Sequence, residues 1–362
     1  RPLEAMARVE LVADRLVATG FIRPSVLWRG LQRCRPSFSH WGVGLLIGLS
    51  GLLVEPLAWL QSLLYAQRLR RVQLPDDPIV IIGHWRSGTT YLHQLLACDP
   101  AVATARNTLT VAPQVALLLQ PWIAPLMKVW MTRVRPIDAV PWGPDDPQED
   151  ELGLARLTFD TNMGGMAFPR DYLANFRRHV LETSTAYERQ WLTFCRLTWL
   201  HDGAGRLHWL IKELVHTARV RLVLKHFPRA RFVLLRRSPV DSIRSLVQVK
   251  QRLGALVGLQ PLPDPPTQVE ETATAHRELL EAFEASRHLI PAQQLLELDY
   301  DDLISQPLQA VEGIYTHFDL TSWPVAEAPI KARIDRARSY TADPVQLPPL
   351  AERRLQELMK AS

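Results

Sequence analysis

Two short stretches of the chain hold the residue types best suited to chemistry on an anion. The first, IVIIGHWRSGTTYLHQLL at 79–96, begins with four branched apolar residues bounded by Pro78 and Gly83, the pattern of a buried strand. Gly88, Thr89 and Thr90 then open a helical pattern with Leu92, Leu95 and Leu96 on one face. Strand, glycine loop and helix N-terminus in that order form an anion cradle, because free backbone N–H groups and the positive end of the helix dipole face the ligand. The spacing matches the phosphate-loop pattern GxxxxGK[ST] except that Thr89 stands where Lys belongs. That Lys binds the β- and γ-phosphates in NTPases, so its replacement, with Arg86 inside the loop, argues against a kinase or NTPase. Nor does the strand RFVLLRR at 231–237 end in a magnesium-binding Asp; it ends in two arginines. The expected ligand is an anion held by Arg, hydroxyls and amides without metal.

The second stretch, RFVLLRRSPVDSIRSLV at 231–247, reads as a strand with Arg237 at its C-terminal end, Pro239 in the first turn of a helix, and Ser245 about two turns on. In an open parallel sheet, ligands bind beyond the C-terminal ends of the strands. Arg237 therefore projects from the same edge as Arg86, and Ser245 can face the same anion. Two separated anion sites on one edge suit a nucleotide carrying phosphates at both its 5′ and 3′ ends.

These stretches need a scaffold, and the rest of the chain supplies its outline. The 362 residues suffice for one large α/β domain or two ordinary ones, and 47% hydrophobic with 22% charged residues excludes general disorder. A net charge of +5 is too dilute to call for nucleic acid. Only six of the 42 basic residues are Lys, so Arg, which pairs with planar anions bidentately, is the default cation. Cys34, Cys98 and Cys195 are isolated, which disfavours a disulfide scaffold or thiolate zinc site and fits a cytoplasmic setting. Buried strands are expected at 79–82, 208–212, 231–237 and 295–300, with helices between them through Val240, Ile243, Leu246 and Val247 and, entered at Pro307, through Leu308, Val311, Ile314, Tyr315 and Phe318. That alternation predicts an α/β fold with a parallel central sheet flanked by helices. The composition divides the chain into a helical, hydrophobic N-terminal extension (1–75), a region of alternating strands and helices (76–320), and an Arg-rich tail with scattered prolines (321–362). The proline-rich run QPLPDPPT at 260–267 reads as a mobile loop.

Residues 41–65, WGVGLLIGLSGLLVEPLAWLQSLLY, are apolar enough to meet lipid. Glu55 and Pro56 sit in the second half, with Arg68, Arg70 and Arg71 just beyond; a mid-membrane charge costs about 2.5–3.5 kcal/mol on insertion scales. A helix lying on the membrane surface accounts for Trp41, Trp59 and the Arg cluster better than a span, and a buried core helix is the other alternative. Peripheral membrane contact through 41–71 is the corresponding expectation.

The motifs resemble those of a known family. GHWRSGTTYLHQLL is similar to the 5′-phosphosulfate loop of sulfotransferases, and RxPxxxxxS at 237–245 to their 3′-phosphate motif. RPIDAVPWGPDDPQEDEL (135–152), KELVHTAR (212–219), HFPRARFVLLRRSP (226–239) and LDYDDLISQP (298–307) extend the likeness over most of 76–320, toward a bacterial-type branch with a hydrophobic lead-in. The resemblance implies the phosphate-loop-like sulfotransferase fold and 3′-phosphoadenosine 5′-phosphosulfate (PAPS) as donor. It implies that Arg86, Ser87, Gly88, Thr89 and Thr90 hold the phosphosulfate and that Arg237 and Ser245 hold the 3′-phosphate. One departure stands out: where relatives commonly read LKSPxH, this chain keeps Lys212 and His216 but has Glu213-Leu214 in place of Ser-Pro.

Sulfuryl transfer needs an acceptor hydroxyl in line with sulfur, a base for its proton and cations for the leaving phosphate. Arg86 and Lys212 are assigned to the developing charge. Two candidates exist for the base: His216, with a suitable intrinsic pKa, and the acidic cluster Glu149-Asp150-Glu151, from which Glu149 and Glu151 are taken. The expected acceptor is a hydroxyl on a small or lipid-like molecule, the lipid character resting on the apolar N-terminal region. The alternative, prompted by Glu213-Leu214, is a membrane-associated protein that binds the donor without turning it over.

Overall fold

The computed structural model describes residues 2–132, 135, 140–337 and 345–361; part of the 135–152 stretch (136–139) and part of the C-terminal segment (338–344) lie outside the described residues. By contact density the chain forms two interleaved units, one from Arg1–Gln73, Ala105–His201 and Val249–Asp264, the other from Leu74–Thr104, Asp202–Gln248 and Pro265–Ser362.

The second unit contains the sheet. Strands β1 (Ile79–Gly83), β2 (Val102–Thr104), β3 (His208–Lys212), β4 (Arg231–Arg236) and β5 (Leu295–Asp299) are all parallel and lie in the order β2-β3-β1-β4-β5. All five residues of β1 are buried, as the unbroken apolar run demands of a strand covered on both faces. Ile79 and Ile81 on one face join Val233, Leu235, Leu92, Leu95 and Leu96 in the main core. From β1 the chain leads toward β3 and β2, and from β4 it leads the other way, to β5. The adjacent C-terminal ends of β1 and β4 are thus the switch point where an open α/β sheet leaves a crevice. Leu235 pairs with Gly83 in the ladder, which brings the ends of the two chemistry-bearing strands level.

The longer helices are α1 (Pro2–Thr19), α2 (Pro24–Arg33), α3 (Trp41–Arg71), α4 (Thr89–Leu96), α5 (Gln120–Trp130), α6 (Asp150–Leu157), α7 (Thr185–Asp202), α8 (Pro239–Val257), α9 (Pro265–Arg287), α10 (Tyr300–Ser305), α11 (Pro307–His317), α12 (Trp323–Ala337) and α13 (Pro349–Ala361). Four expected strands and both expected helices are present, with ends shifted by a residue or so at the strands. β2 gave no signal because three residues are too few to show a period.

In the first unit, Arg156 of α6 is buried and its guanidinium donates to the carbonyls of Val17, Val111 and Leu152, tying three distant segments together. Burial lowers its pKa to about 10, so it remains a cation at neutral pH. The 260–267 run is a loop over 260–264, as its prolines predict, and helical from Pro265. Pro265 and Pro266 occupy the first turn of α9, where a missing N–H costs nothing. Gln260 is buried, donating to Arg35 O at 3.0 Å and Asp171 Oδ2 at 2.9 Å and accepting from the Arg170 N–H at 3.1 Å.

The stretch beyond 321, read from its composition as a tail, carries α12 and α13. Ala326, Ile330 and Ile334 of α12 enter the main core, while Ala351 and Leu355 of α13 pack with Ile243, Val247 and Val269. The apolar residues recur three or four apart among many arginines, a spacing that composition alone hides. Arg244 of α8 donates to both carboxylate oxygens of Glu352 and fixes the docking. Leu355→Ala is expected to lower the unfolding free energy by about 2–5 kcal/mol in a urea titration, because Leu355 is fully buried; a surface tail would give no change.

Candidate active site

The chain leaves β1 through backbone that few residues can adopt. Gly83 has φ +143°, and a Cβ there would lie 2.6 Å from the Leu235 carbonyl oxygen of the neighbouring strand. Gly88 has φ +91°, and a Cβ there would lie 2.7 Å from the Tyr300 ring. Between them Arg86, which is not glycine, is held at φ +69°, a conformation that costs about 1–3 kcal/mol. The surroundings over-determine it. Ser87 Oγ donates to the His84 carbonyl at 2.7 Å, and the Thr217 hydroxyl donates to Gly83 O at 2.9 Å while accepting the Gly83 N–H at 2.8 Å. Alternation of left-handed and other backbone turns successive amides inward, an anion nest at the start of α4.

The two anion motifs meet here. Arg86 Nε donates to Ser245 Oγ at 2.9 Å, and Arg237 Nη1 donates to the Arg86 carbonyl at 2.7 Å. The Arg237 guanidinium lies over the Tyr300 ring, 4.2 Å from its centroid. Lys212, buried at the end of β3, reaches Thr90 Oγ1 with its Nζ at 3.4 Å. Arg86, Ser87, Gly88, Thr89, Thr90, Lys212, Arg237 and Ser245 therefore occupy one edge of the sheet. Three cations gathered at a helix N-terminus form a positive field suited to an anion of high charge. The side chain of Arg86 reaches across to Ser245, so the two sets of residues are physically joined rather than separate.

The loop after β3 explains the Glu213-Leu214 departure. Glu213 is buried and caps the short turn Leu214–Thr217, its carboxylate accepting the Val215 N–H at 3.4 Å. A side-chain oxygen at an N-cap is what a Ser supplies at such a position, so the longer acid preserves the turn. His216 in that turn is completely buried, and desolvation, with Arg219 nearby, holds its pKa well below the ordinary value. It is neutral, and its ring has no solvent-accessible surface.

His84 and His93, which flank the loop, are structural in their contacts. The His84 ring lies 4.1 Å from the His276 ring and its Nδ1 is 2.7 Å from Trp85 O, while His93 Nε2 is 2.7 Å from Thr104 Oγ1.

The acidic cluster belongs to the first unit. Glu151 is buried and its Oε2 accepts the Asn162 N–H at 2.6 Å, so it holds the chain that follows α6. Asp150 is buried too; desolvation, reinforced by Glu151, pushes its pKa to about 8. Glu149, the residue before the first turn of α6, is partly exposed.

Comparison with known proteins fits this geometry. Residues 78–324, more than half of the chain, match the profile of the sulfotransferase family. The chain belongs to that family. Among curated relatives it resembles the omega-hydroxy-beta-dihydromenaquinone-9 sulfotransferase Stf3 of Mycobacterium bovis and of Mycobacterium tuberculosis. Each is 25% identical over 311 residues, spanning 84% of this chain and 77% of the relative. Among solved structures, sulfotransferase STF9 from Mycobacterium avium superposes with a TM-score of 0.65 at 17% identity, covering 94% of this chain and 95% of that one. Sulfotransferase STF1 from Mycobacterium tuberculosis H37Rv gives 0.62 at 18% identity, covering 92% and 90%. At such identities the superpositions speak to the fold.

Two residues of this sulfotransferase's cationic edge carried no assigned role in the sequence. Thr217 lies inside KELVHTAR, where nothing in its spacing singles it out. Tyr300 lies inside LDYDDLISQP, and its signal was its place directly after a strand, at the edge where ligands bind. Its ring supports Arg237 from below and fills the space that Gly88 leaves open. Tyr300→Leu is expected to lower the unfolding free energy by about 1–2 kcal/mol in a urea titration, the range of a partly desolvated cation–π contact, while Tyr300→Phe retains most of it.

Asp150 sets a second expectation. Its pKa is raised on folding from an ordinary carboxylate value to about 8, so the folded state binds a proton that the unfolded state releases. Its contribution is full at low pH and is lost as pH rises toward about 8. The stability of Asp150→Asn relative to wild type should therefore rise as pH rises from 5 to 8. Urea midpoints at pH 5 and pH 8 measure it, and a constant margin would contradict the assignment.

Proposed function

We propose that this sulfotransferase moves the sulfuryl group of PAPS to a hydroxyl of a lipid-like acceptor. The observation that carries the donor half is the union of the two motifs: Arg86 and Ser245, 159 residues apart in sequence, share a hydrogen bond, and Arg237 holds the Arg86 carbonyl. One continuous cationic edge, with loop amides at one part and Arg237 with Ser245 at another, fits a nucleotide phosphorylated at both ends. The acceptor half is supported by the Stf3 relatives, named for a hydroxylated dihydromenaquinone, and by the apolar surface of α3.

The donor supplies an activated sulfuryl group whose sulfur–oxygen bond to phosphate breaks as the acceptor oxygen bonds to sulfur. The residues of this chain position and neutralise. Gly88, Thr89 and Thr90 present amides and hydroxyls at the helix N-terminus to the 5′-phosphosulfate, with Ser87 bracing the loop. Lys212, aimed at Thr90, and Arg86 balance charge that accumulates on the leaving phosphate. Arg237, over Tyr300, and Ser245 hold the 3′-phosphate. Among the candidates for a base, Glu149 keeps exposed surface. His216 is sealed in the core, and the Glu151 carboxylate is committed to Asn162. Glu213 restores the turn that its neighbours need, which removes the ground for reading the protein as a donor-binding but inactive one.

The test is a thermal-shift titration with 3′,5′-ADP, the desulfated product, against ATP with magnesium, on wild type and Arg237→Ala. At about 100 times its Kd, a ligand that binds only the native state stabilises by about 2.7 kcal/mol. Stabilisation by 3′,5′-ADP that Arg237→Ala abolishes is the expected result. Equal stabilisation by ATP, indifferent to Arg237, would overturn the donor reading. In the same preparation, Glu149→Gln should lower kcat by about 100-fold or more with little change in 3′,5′-ADP affinity.

A further inference from the structure

Helix α3 is built inside out. Ten large apolar side chains between Trp41 and Leu64 are exposed, among them Leu53, Trp59 and Leu63, the last 77% exposed. At about 100° per residue they fall in an arc about 160° wide. The buried residues of the helix, Ile47, Ser50, Gly51, Ala58 and Gln61, fill the complementary arc and are mostly small or polar. A helix on a water-soluble surface shows the reverse distribution, with the large apolar residues inward. Helix α5 shares a buried cluster with α3, Ile123 and Met127 joining Ala58, while its Trp122, Leu126 and Val129, spaced four and three apart, are exposed. Phe38, 92% exposed, stands just before α3. Patches of this extent mark interaction sites.

From these observations we infer that the outer face of α3 docks in the plane of an anionic lipid leaflet. The charges select this occupant. Glu55 is the only acid in 38–71, and it is paired with Arg23. Arg68, Arg70 and Arg71 are exposed in the last turn, and Arg70 and Arg71 lie on the same arc as the apolar side chains, so apolar face and cations meet one surface together. Trp41 and Trp59 on the arc are the residue type that settles at headgroup level.

The inner side of α3 excludes a span. Gly51 lies so close to the Ile22 carbonyl that a Cβ would overlap it. Gln61 donates to Pro113 O at 2.9 Å and accepts the N–H groups of Leu117 at 2.8 Å and Leu118 at 3.1 Å. Protein therefore covers one side of the helix at both its N-terminal and C-terminal halves, leaving a single side for lipid. Pro56 deprives the Leu52 carbonyl of its helical partner on the exposed arc, a group that needs water or headgroups rather than hydrocarbon. This placement deepens the lipid-acceptor reading, since an acceptor dissolved in the leaflet would lie at the same level as the docked face.

Flotation of the full chain with vesicles tests it, using phosphatidylcholine alone and phosphatidylcholine mixed with phosphatidylglycerol. The chain is expected to float with the anionic vesicles and to be released by alkaline carbonate. The triple variant Leu53→Glu, Trp59→Glu, Leu63→Glu should lose at least about 100-fold in vesicle partitioning. Arg70→Gln with Arg71→Gln should lose about 30-fold on anionic vesicles and little on neutral ones. Both variants change only exposed side chains and should keep the thermal shift with 3′,5′-ADP, so a failure of the donor reading and a failure of docking remain distinguishable. Resistance to carbonate would overturn in-plane docking in favour of a span. A wild-type dimer that ignores vesicles, and that the triple variant dissociates, would assign the face to a second copy of the chain.

Discussion

The cationic edge depends on one backbone constraint: the loop between β1 and α4 must pass Gly83, Arg86 and Gly88 in left-handed or near-mirror conformations. Only then does the Arg86 carbonyl turn toward Arg237 while its side chain reaches Ser245. The strain at Arg86 is tolerated because a parallel sheet fixes the loop from below and Thr217 clamps the end of β1. The core beneath, from Ile79 to Ile334, is in this sense part of the site. It sets the level at which β1 and β4 end, and with it the distance between the two arginines.

Much of this edge was legible in the sequence, for a physical reason. Glycines that must adopt positive φ, a strand read from a branched run, and hydroxyls at a helix start are local requirements, and they leave local marks. Ser245 was legible as well, because a helix has a fixed period and Arg237 fixes its origin. Contacts made across the sheet were harder to read. Tyr300 belongs to another strand-to-helix junction, and nothing local announces that its ring fills the space over Gly88. The union of Arg86 with Ser245 was equally hidden, because it depends on strand order, and a sequence does not display strand order.

The acidic cluster and the C-terminal segment show two other limits. Glu149, Asp150 and Glu151 are consecutive and chemically alike, yet helix geometry turns two of them into the interior and leaves one partly exposed. Type and spacing nominate all three, and burial alone tells them apart. Beyond 321, arginines dominate the composition and mask a helical period carried by few apolar residues. The ion pair of Arg244 with Glu352 shows that some of those charges serve docking rather than solubility.

The contact of Gly88 with Tyr300 makes two distant positions a single steric decision. No side chain can be added at 88 while the ring stays at 300, and a smaller residue at 300 leaves Gly88 bordering a void and Arg237 without its platform. Neither position can drift alone. Across the history of this fold the pair should therefore covary as a unit, with the loop and the β5 junction inherited together even where the intervening sequence has diverged.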